Sequence, residues 1–443
     1  PKAGDDVWLS IDIDLQAQAE RLLAAKVDAL RGRTDKDGKR LSAPQGSVVI
    51  QQPTTGQVLA MASYPPFDPA STVNGISTAL WQQLNDPANG RPLYNWALQG
   101  TYAPGSTFKP IVYVTALENG FTPASIFVDA PYCVFQSRSL GKKCFRNFSG
   151  GYAGAQTMRW GLEQSRNLMT VRIAYSTGMD KVVATAKALG VGSYQPVLAI
   201  ALGAGETTVL NLTNAYAQMF NAGRAGTPSL IDMVQDRNGK VIWRRDTRKC
   251  TDCNRADWAG ESMPRPGGKP KQVIDARSAF QIVHLMEGVV QRGTAMNLAS
   301  MDRPLAGKTG TTSGPTNVWF IGGSPDLVAG LYLGFDKPRN LGGYAQGGTI
   351  AVPIWRQFAE VVLKDAPKLP FTAPPGIRMV KIDRRSGKRV FGGTPSTERR
   401  AGVIWEAFKP ESEPRRTVAP PNPNARRTVR SDADFLRNEG GIY

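Results

Sequence analysis

The sequence predicts an α+β fold with an antiparallel central sheet flanked by helices. Two observations carry this. Strand-like runs occur as adjacent pairs: 47–51 with 57–62 across a turn at 53–56, and 317–322 with 327–335. Short connections of this kind join antiparallel neighbours. Amphipathic stretches lie between the pairs, so helices fill the chain between the strands and must cover the sheet.

Taken in order, residues 6–13 alternate like a strand. Residues 14–30 read as a helix with Leu15, Ala19, Leu22, Leu23, Val27 and Leu30 on one face. The polar stretch 31–45 reads as a loop before the first hairpin. Residues 64–103, rich in Pro, Asn, Gly and Trp, read as ordered loop leading into an apolar helix over 109–117. A second loop-rich stretch covers 121–155. Helices are expected over 157–178, 179–189 and 208–222, a hairpin over 229–245, an insertion over 246–275 and a helix over 276–291. A Gly/Thr-rich strand at 305–312, the second hairpin and a helix over 352–364 end the compact part. A proline-rich link follows, then a short hairpin over 377–390. The expected organisation is an N-terminal strand and helix (1–45) packed on a main domain (46–365), a linker and hairpin (366–393), and a disordered basic tail (394–443).

With 443 residues and 41% apolar content, the chain can bury a substantial core. Its net charge of +18 favours anionic surroundings. Residues 377–443 hold 15 Lys/Arg against 8 Asp/Glu, which fits a solvated basic tail. No zinc-finger or RNP pattern accompanies the charge, so no nucleic acid partner is expected. No run reaches the roughly 18 apolar residues that span a bilayer. The chain starts at Pro1 rather than Met, so a fragment of a longer protein is expected, with any membrane anchor outside it.

The four cysteines are Cys133, Cys144, Cys250 and Cys253. Two local disulfides in an oxidising compartment fit their spacing best; a four-cysteine zinc site and free thiols are the alternatives. Neither a metal nor another cofactor is expected.

The chemistry centres on Ser106. Residues 103–105 (Ala-Pro-Gly) make a turn, a helix starts after it, and Lys109 lies three residues beyond Ser106. The two side chains then share a helix face. Alone, this is also what a serine-capped helix with a chance lysine looks like. A hydroxyl nucleophile needs a base, and the one histidine, His284, sits in an apolar helix and reads as a core residue. Lysine is the remaining candidate, provided that burial and a nearby cation hold it neutral. Lys308 would be that cation if the fold brings it near.

Two further fragments lift the serine reading: Ser165-Arg166-Asn167 and Lys308-Thr309-Gly310-Thr311. Each is ordinary alone. Together and in this order, S-x-x-K, S-x-N and K-T-G resemble the penicillin-binding protein and serine β-lactamase superfamily. The likeness covers most of residues 6–393. The stretches 144–151, 291–295 and 440–443 look like class A enzymes of Gram-negative bacteria, which carry a glycosyltransferase domain upstream. Residues 6–100 look closer to class B enzymes.

The resemblance implies roles residue by residue. Ser106 would be the acylated nucleophile, Lys109 its base, and Ser165 the proton relay. Asn167 would hold Lys109 and the substrate amide, and Lys308 would supply positive potential. Thr309, Gly310, Thr311 and Thr312 would line the substrate, with Thr309 and Thr311 binding its terminal carboxylate. The backbone N–H groups of Ser106 and Thr311 would form the oxyanion hole. The implied reaction is D,D-transpeptidation of peptidoglycan stem peptides, with a D-Ala-D-Ala donor, an amine acceptor and β-lactams as acylating inhibitors. The implied location is the periplasmic face of the inner membrane. The alternatives are a D,D-carboxypeptidase, a β-lactamase, and a non-catalytic sensor or wall-binding scaffold. A lactamase needs a group that activates water. Glu163 is nearest in sequence, and it reads as a solvated helix residue.

Overall fold

The structure is a computed structural model that describes residues 4–34, 37, 38, 40, 45–138, 141–249, 257, 260 and 271–414. The chain opens with β1 (Asp6–Leu9) and α1 (Ile13–Arg31), then β2 (Gln45–Gln51), β3 (Val58–Tyr64) and the short helix α2 (Thr78–Asn85). After the serine turn come α3 (Lys109–Glu118) and four short strands, β4 (Ile126–Asp129), β5 (Tyr132–Ser137), β6 (Gly141–Phe145) and β7 (Gly154–Thr157). Helices α4 (Met158–Glu163), α5 (Asn167–Thr177), α6 (Met179–Ala188) and α7 (Val209–Phe220) follow, then β8 (Ile231–Gln235), β9 (Val241–Arg244) and α8 (Ala276–Arg292). The last elements are β10 (Ala306–Thr311), β11 (Asn317–Ser324), β12 (Leu327–Gly334), α9 (Val352–Val362), β13 (Arg378–Asp383) and β14 (Val403–Phe408).

The expected central sheet is present, in the order β10-β11-β12-β2-β3, antiparallel at each pairing. The two hairpins read from the sequence become neighbours because β12 pairs with β2. Strands β2, β11 and β12 are buried along their whole length, so both faces are covered. On one face the Phe320 ring meets Trp355 of α9, and α9 packs on α1. Leu331 lies opposite Phe320 in the register, so the next residue, Gly330, points to the other face. There a side chain would place its Cβ 2.0 Å from Thr213 Oγ1 of α7. Glycine at this position is what lets α7 approach the sheet. Helix α8 lies beside α7 and β10, with α3 against α8.

Helix α1 starts where the sequence places it. Asp12 caps it by accepting from the N–H groups of Asp14 and Leu15, and Leu15, Ala19, Leu23, Val27 and Leu30 form its buried stripe. Residues 6–9 pair with β8, and β8 with β9, in a separate three-stranded sheet.

Several expectations change. The stretch 121–155 holds four strands rather than loop alone. They pair as β4–β7 and β5–β6, each only four to six residues long and set among turn residues. The helix expected over 157–178 breaks into α4 and α5, because Ser165 adopts φ +55°. In the stretch 377–390, one bridge (Ile382–Arg389) survives of the expected hairpin, and β13 pairs along its length with β14 instead. Residues 394–414 therefore are not tail. Val380, Ile382, Ile404 and Phe408 form a small second core, packed against Ala124. The remainder of the expected tail, 415–443, lies outside the described residues, as do Cys250 and Cys253. Cys133 and Cys144 face each other across β5–β6 and form a disulfide.

Candidate active site

The serine turn, Gly105–Phe108, is a single turn of 3₁₀ helix that runs directly into α3. Two close approaches fix it. The Gly105 N–H donates to the Gly203 carbonyl at 3.2 Å, and a Cβ on Gly203 would lie 2.1 Å from Gly105 O. On the opposite side, a Cβ on Gly310 of β10 would lie 2.7 Å from Pro104 O. Trp319 Nε1 and Asn317 Nδ2 of β11 both donate to Ala103 O, at 3.1 and 3.3 Å. The turn is therefore wedged against the edge of the sheet. Ser106 is half-buried there, with Gly105, Thr107 and Phe108 buried around it.

Lys109 opens α3 and is fully buried. Its Nζ donates to Ser165 O at 2.6 Å, Asn167 Oδ1 at 2.7 Å and Ser165 Oγ at 3.2 Å. Lys308, on β10, is also fully buried and donates to the same Ser165 Oγ at 2.9 Å and to Thr309 O at 3.0 Å. Two lysines 199 residues apart thus converge on one hydroxyl. Ser106, Lys109, Ser165, Asn167 and Lys308 come from three separate pieces of chain.

Burial costs both ammonium groups solvation. Lys109 is held well below the usual lysine range by burial first, then by the charges of Lys308 and Arg166, with Asp129 opposing. Burial lowers Lys308 to about 7. A neutral Lys109 can accept a proton at neutral pH.

The turn that presents Ser165 is set by α4 and by an acidic anchor. Ser165 N–H donates to Leu162 O and Arg166 N–H to Gly161 O. Arg166 Nε donates to buried Asp129 at 2.8 Å, and the same carboxylate accepts from Asn147 Nδ2 at 2.7 Å. Asn167 Nδ2 donates to Arg146 O at 2.9 Å, which leaves its Oδ1 aimed at Lys109. Sequence reading missed Asp129, Asn147 and Arg146. Asp129 ends the apolar strand β4, and Arg146 and Asn147 lie in the family-like stretch 144–151, but nothing local shows that they meet under the turn.

On β10, Thr309 is buried and its hydroxyl pairs with Thr294 Oγ1 at 2.6 Å. Thr311 is more open, and its Oγ1 accepts from Gly347 N–H at 3.0 Å. Thr312 turns back to bond Thr316 and the N–H of Asn317. Neither Thr294 nor Gly347 was singled out from the sequence.

Glu163 corrects an expectation. It is fully buried rather than solvated, 2.9 Å from Arg292, 3.5 Å from Arg159 and 3.8 Å from Arg384. Arg159 is four residues away on the same helix, but Arg292 comes from α8 and Arg384 from the C-terminal unit, which local sequence cannot reveal. His284 stays out of the site, with Nδ1 3.0 Å from Glu287 and Nε2 3.2 Å from Trp405 O.

The family described as penicillin binding protein transpeptidase domain matches residues 46–360. Penicillin-binding protein 1A of Rickettsia bellii is 37% identical over 375 residues, covering 84% of this chain and 43% of the relative. The chain thus spans less than half the length of the curated relatives it matches. The crystal structure of penicillin-binding protein 1A from Haemophilus influenzae superposes with a TM-score of 0.73 at 22% identity, covering 94% of this chain and 74% of that one. A penicillin G acyl-enzyme complex of penicillin-binding protein A from M. tuberculosis gives 0.61 at 24% identity, covering 81% of each chain.

Proposed function

The chain belongs to the penicillin-binding protein transpeptidase family, and we propose that it is a serine-type D,D-transpeptidase that cross-links peptidoglycan stem peptides. The observation that carries this reading is the meeting of Lys109 and Lys308 at Ser165 Oγ, with Ser106 one turn from Lys109.

In this reading Ser106 Oγ attacks the carbonyl carbon between the two terminal D-Ala residues. Neutral Lys109 takes the serine proton. Ser106 Oγ is outside the Lys109 hydrogen bonds among the described residues, and substrate binding closes that gap. The developing oxyanion is held by the N–H groups of Ser106 and Thr311, where one lost donor typically costs about 3 kcal/mol of the barrier. As the C–N bond breaks, Ser165 passes a proton to the departing D-Ala amine, and Ser106 carries the acyl group as an ester. An acceptor amine then attacks the ester, loses its proton through the same relay, and releases Ser106. Thr309 and Thr311, with Lys308 behind them, hold the substrate carboxylate. Asn167 orients Lys109 and the substrate amide. Gly310 leaves room for the serine turn against β10.

β-Lactams acylate the same serine in this account, in line with the penicillin G adduct of the M. tuberculosis relative. The carboxylates near the site favour transfer over lactam hydrolysis. Glu163 is committed to arginines and Asp129 to Arg166 and Asn147, so both already have partners. The periplasmic location and a membrane anchor elsewhere in the protein are part of the same proposal.

The test is product analysis with a synthetic stem peptide ending in D-Ala-D-Ala and an amine acceptor, alongside nitrocefin. Released D-Ala with a new amide, and a single burst with nitrocefin, support the transpeptidase. Sustained nitrocefin turnover points to a lactamase. D-Ala release without a cross-link points to a carboxypeptidase.

A further inference from the structure

The C-terminal unit β13–β14 lies outside the matched family region, yet it reaches the serine site through buried charge. Glu406 of β14 is fully buried and holds Arg159 of α4 through both of its oxygens, at 2.6 Å from Nη2 and through a second, shorter contact from Nε. Arg159 Nη1 stands 3.5 Å from Glu163, and Glu163 Oε1 accepts from Arg292 Nη2 at 2.9 Å and Nε at 3.2 Å. Arg384, from the turn after β13, faces Glu163 from the other side at 3.8 Å. Two arginines and two carboxylates are thus taken out of water together, with Arg384 half-buried at their edge. Each depends on the others, because an unpaired buried charge is strongly unfavourable.

Two routes lead from this cluster to the reacting groups. Helix α4, gripped at Arg159, ends at Glu163, and the Ser165 turn hangs on its carbonyls. The Glu163 carbonyl also accepts from Thr294 N–H at 3.2 Å, and Thr294 Oγ1 bonds Thr309 Oγ1 beside Lys308. Glycine at 288 and 293 permits this, since a Cβ would lie 2.3 Å from Glu163 Oε1 and 2.2 Å from Glu163 O respectively. Catalytic geometry depends on such support to within a fraction of an ångström.

We propose that the C-terminal unit is a positioning element for the transpeptidase site, in which Glu406 acts through Arg159 and Glu163 to fix the Ser165 turn and the Thr294–Thr309 contact. This rests on the reading that Ser106, Ser165 and Thr309 act in acylation.

The test is a double-mutant cycle in the full chain, read as the rate of acylation by a fluorescent penicillin. Glu406→Gln and Thr294→Val are each expected to slow acylation about three- to tenfold. Together they should lose clearly less than the product of the single losses, because Thr294 lies on one of the two routes that start at Glu406. Glu406→Asp should recover part of the rate. Multiplicative losses, or wild-type acylation in Glu406→Gln, would overturn the proposal. If Glu406→Gln does not fold, Arg384→Gln takes its place in the cycle, under the same two criteria. Wild-type protein that forms no adduct at Ser106 sinks the functional reading itself, an outcome distinct from any in the cycle.

Discussion

Ser165 is where the chemistry of the site is concentrated. It is the residue on which both lysines converge, and its φ of +55° is a conformation that side chains other than Asn, Asp and Gly rarely adopt. Strain at a site residue persists where surrounding structure holds it, here α4 above and Arg166–Asp129 below. The protonation states give a pH signature. Burial and the charges of Lys308 and Arg166 hold Lys109 well below its usual range, so in the proposed mechanism acid protonates it and removes the base. Lys308, lowered to about 7, loses its positive charge as pH rises through that value. The second-order rate of acylation by a penicillin should therefore fall on the acid side and again above about pH 7. A bound carboxylate raises the Lys308 value, so the alkaline fall should move to higher pH at saturating penicillin. Stopped-flow acylation across pH 5–10 reads both limbs; an alkaline limb at the same pH under both conditions would contradict the assignment of Lys308 to the carboxylate.

At the scale of elements, the edge strand β10 and the serine turn form one rigid joint. Gly310 is the contact point. Gly310→Ala would place Cβ 2.7 Å from Pro104 O and 2.9 Å from Thr107 Cγ2, and a backbone carbonyl cannot swing aside as a side chain can. The expected outcome is a stability loss of about 1–3 kcal/mol and an acylation rate lower by about 10²-fold. Thermal melting and penicillin labelling measure the two. Much of this scale was legible in the sequence. The α1 stripe from Leu15 to Leu30 and the two sheet hairpins follow from simple periodicity. Periodicity reads through the helix break at Ser165, although the polar run 163–167 (Glu-Gln-Ser-Arg-Asn) interrupts the apolar pattern there, because helical patterns resume directly on either side. Strands β4 and β7 were hidden by their four-residue length, and β14 (VIWEAF) by the Arg- and Pro-rich sequence around it. The motif residues could be picked out because each motif is local. Their convergence, and the approach of Arg292 and Arg384 to Glu163, depend on long-range pairings that no local pattern encodes.

At the scale of the whole molecule, the boundary of the functional unit moves. The sequence reads as a disordered basic tail from residue 394. The fold instead buries Glu406 and Phe408 and leaves Arg159 dependent on Glu406. A chain ending at residue 393 should lose about 3–5 kcal/mol of stability, the usual cost of stranding a buried charge, and should label poorly with penicillin. A chain ending at residue 414 retains every contact described here and should label like the full chain. Equal labelling of the two truncations would show that the C-terminal unit contributes nothing to the site.

The central claim is that Ser106 carries the acyl group. Its most direct test is intact-protein mass spectrometry after exposure to benzylpenicillin, with peptide mapping of wild type and Ser106→Ala. The account predicts one adduct per chain, located on the peptide containing Ser106 and lost in the variant. An unmodified wild type, or an adduct that persists in Ser106→Ala, would contradict it.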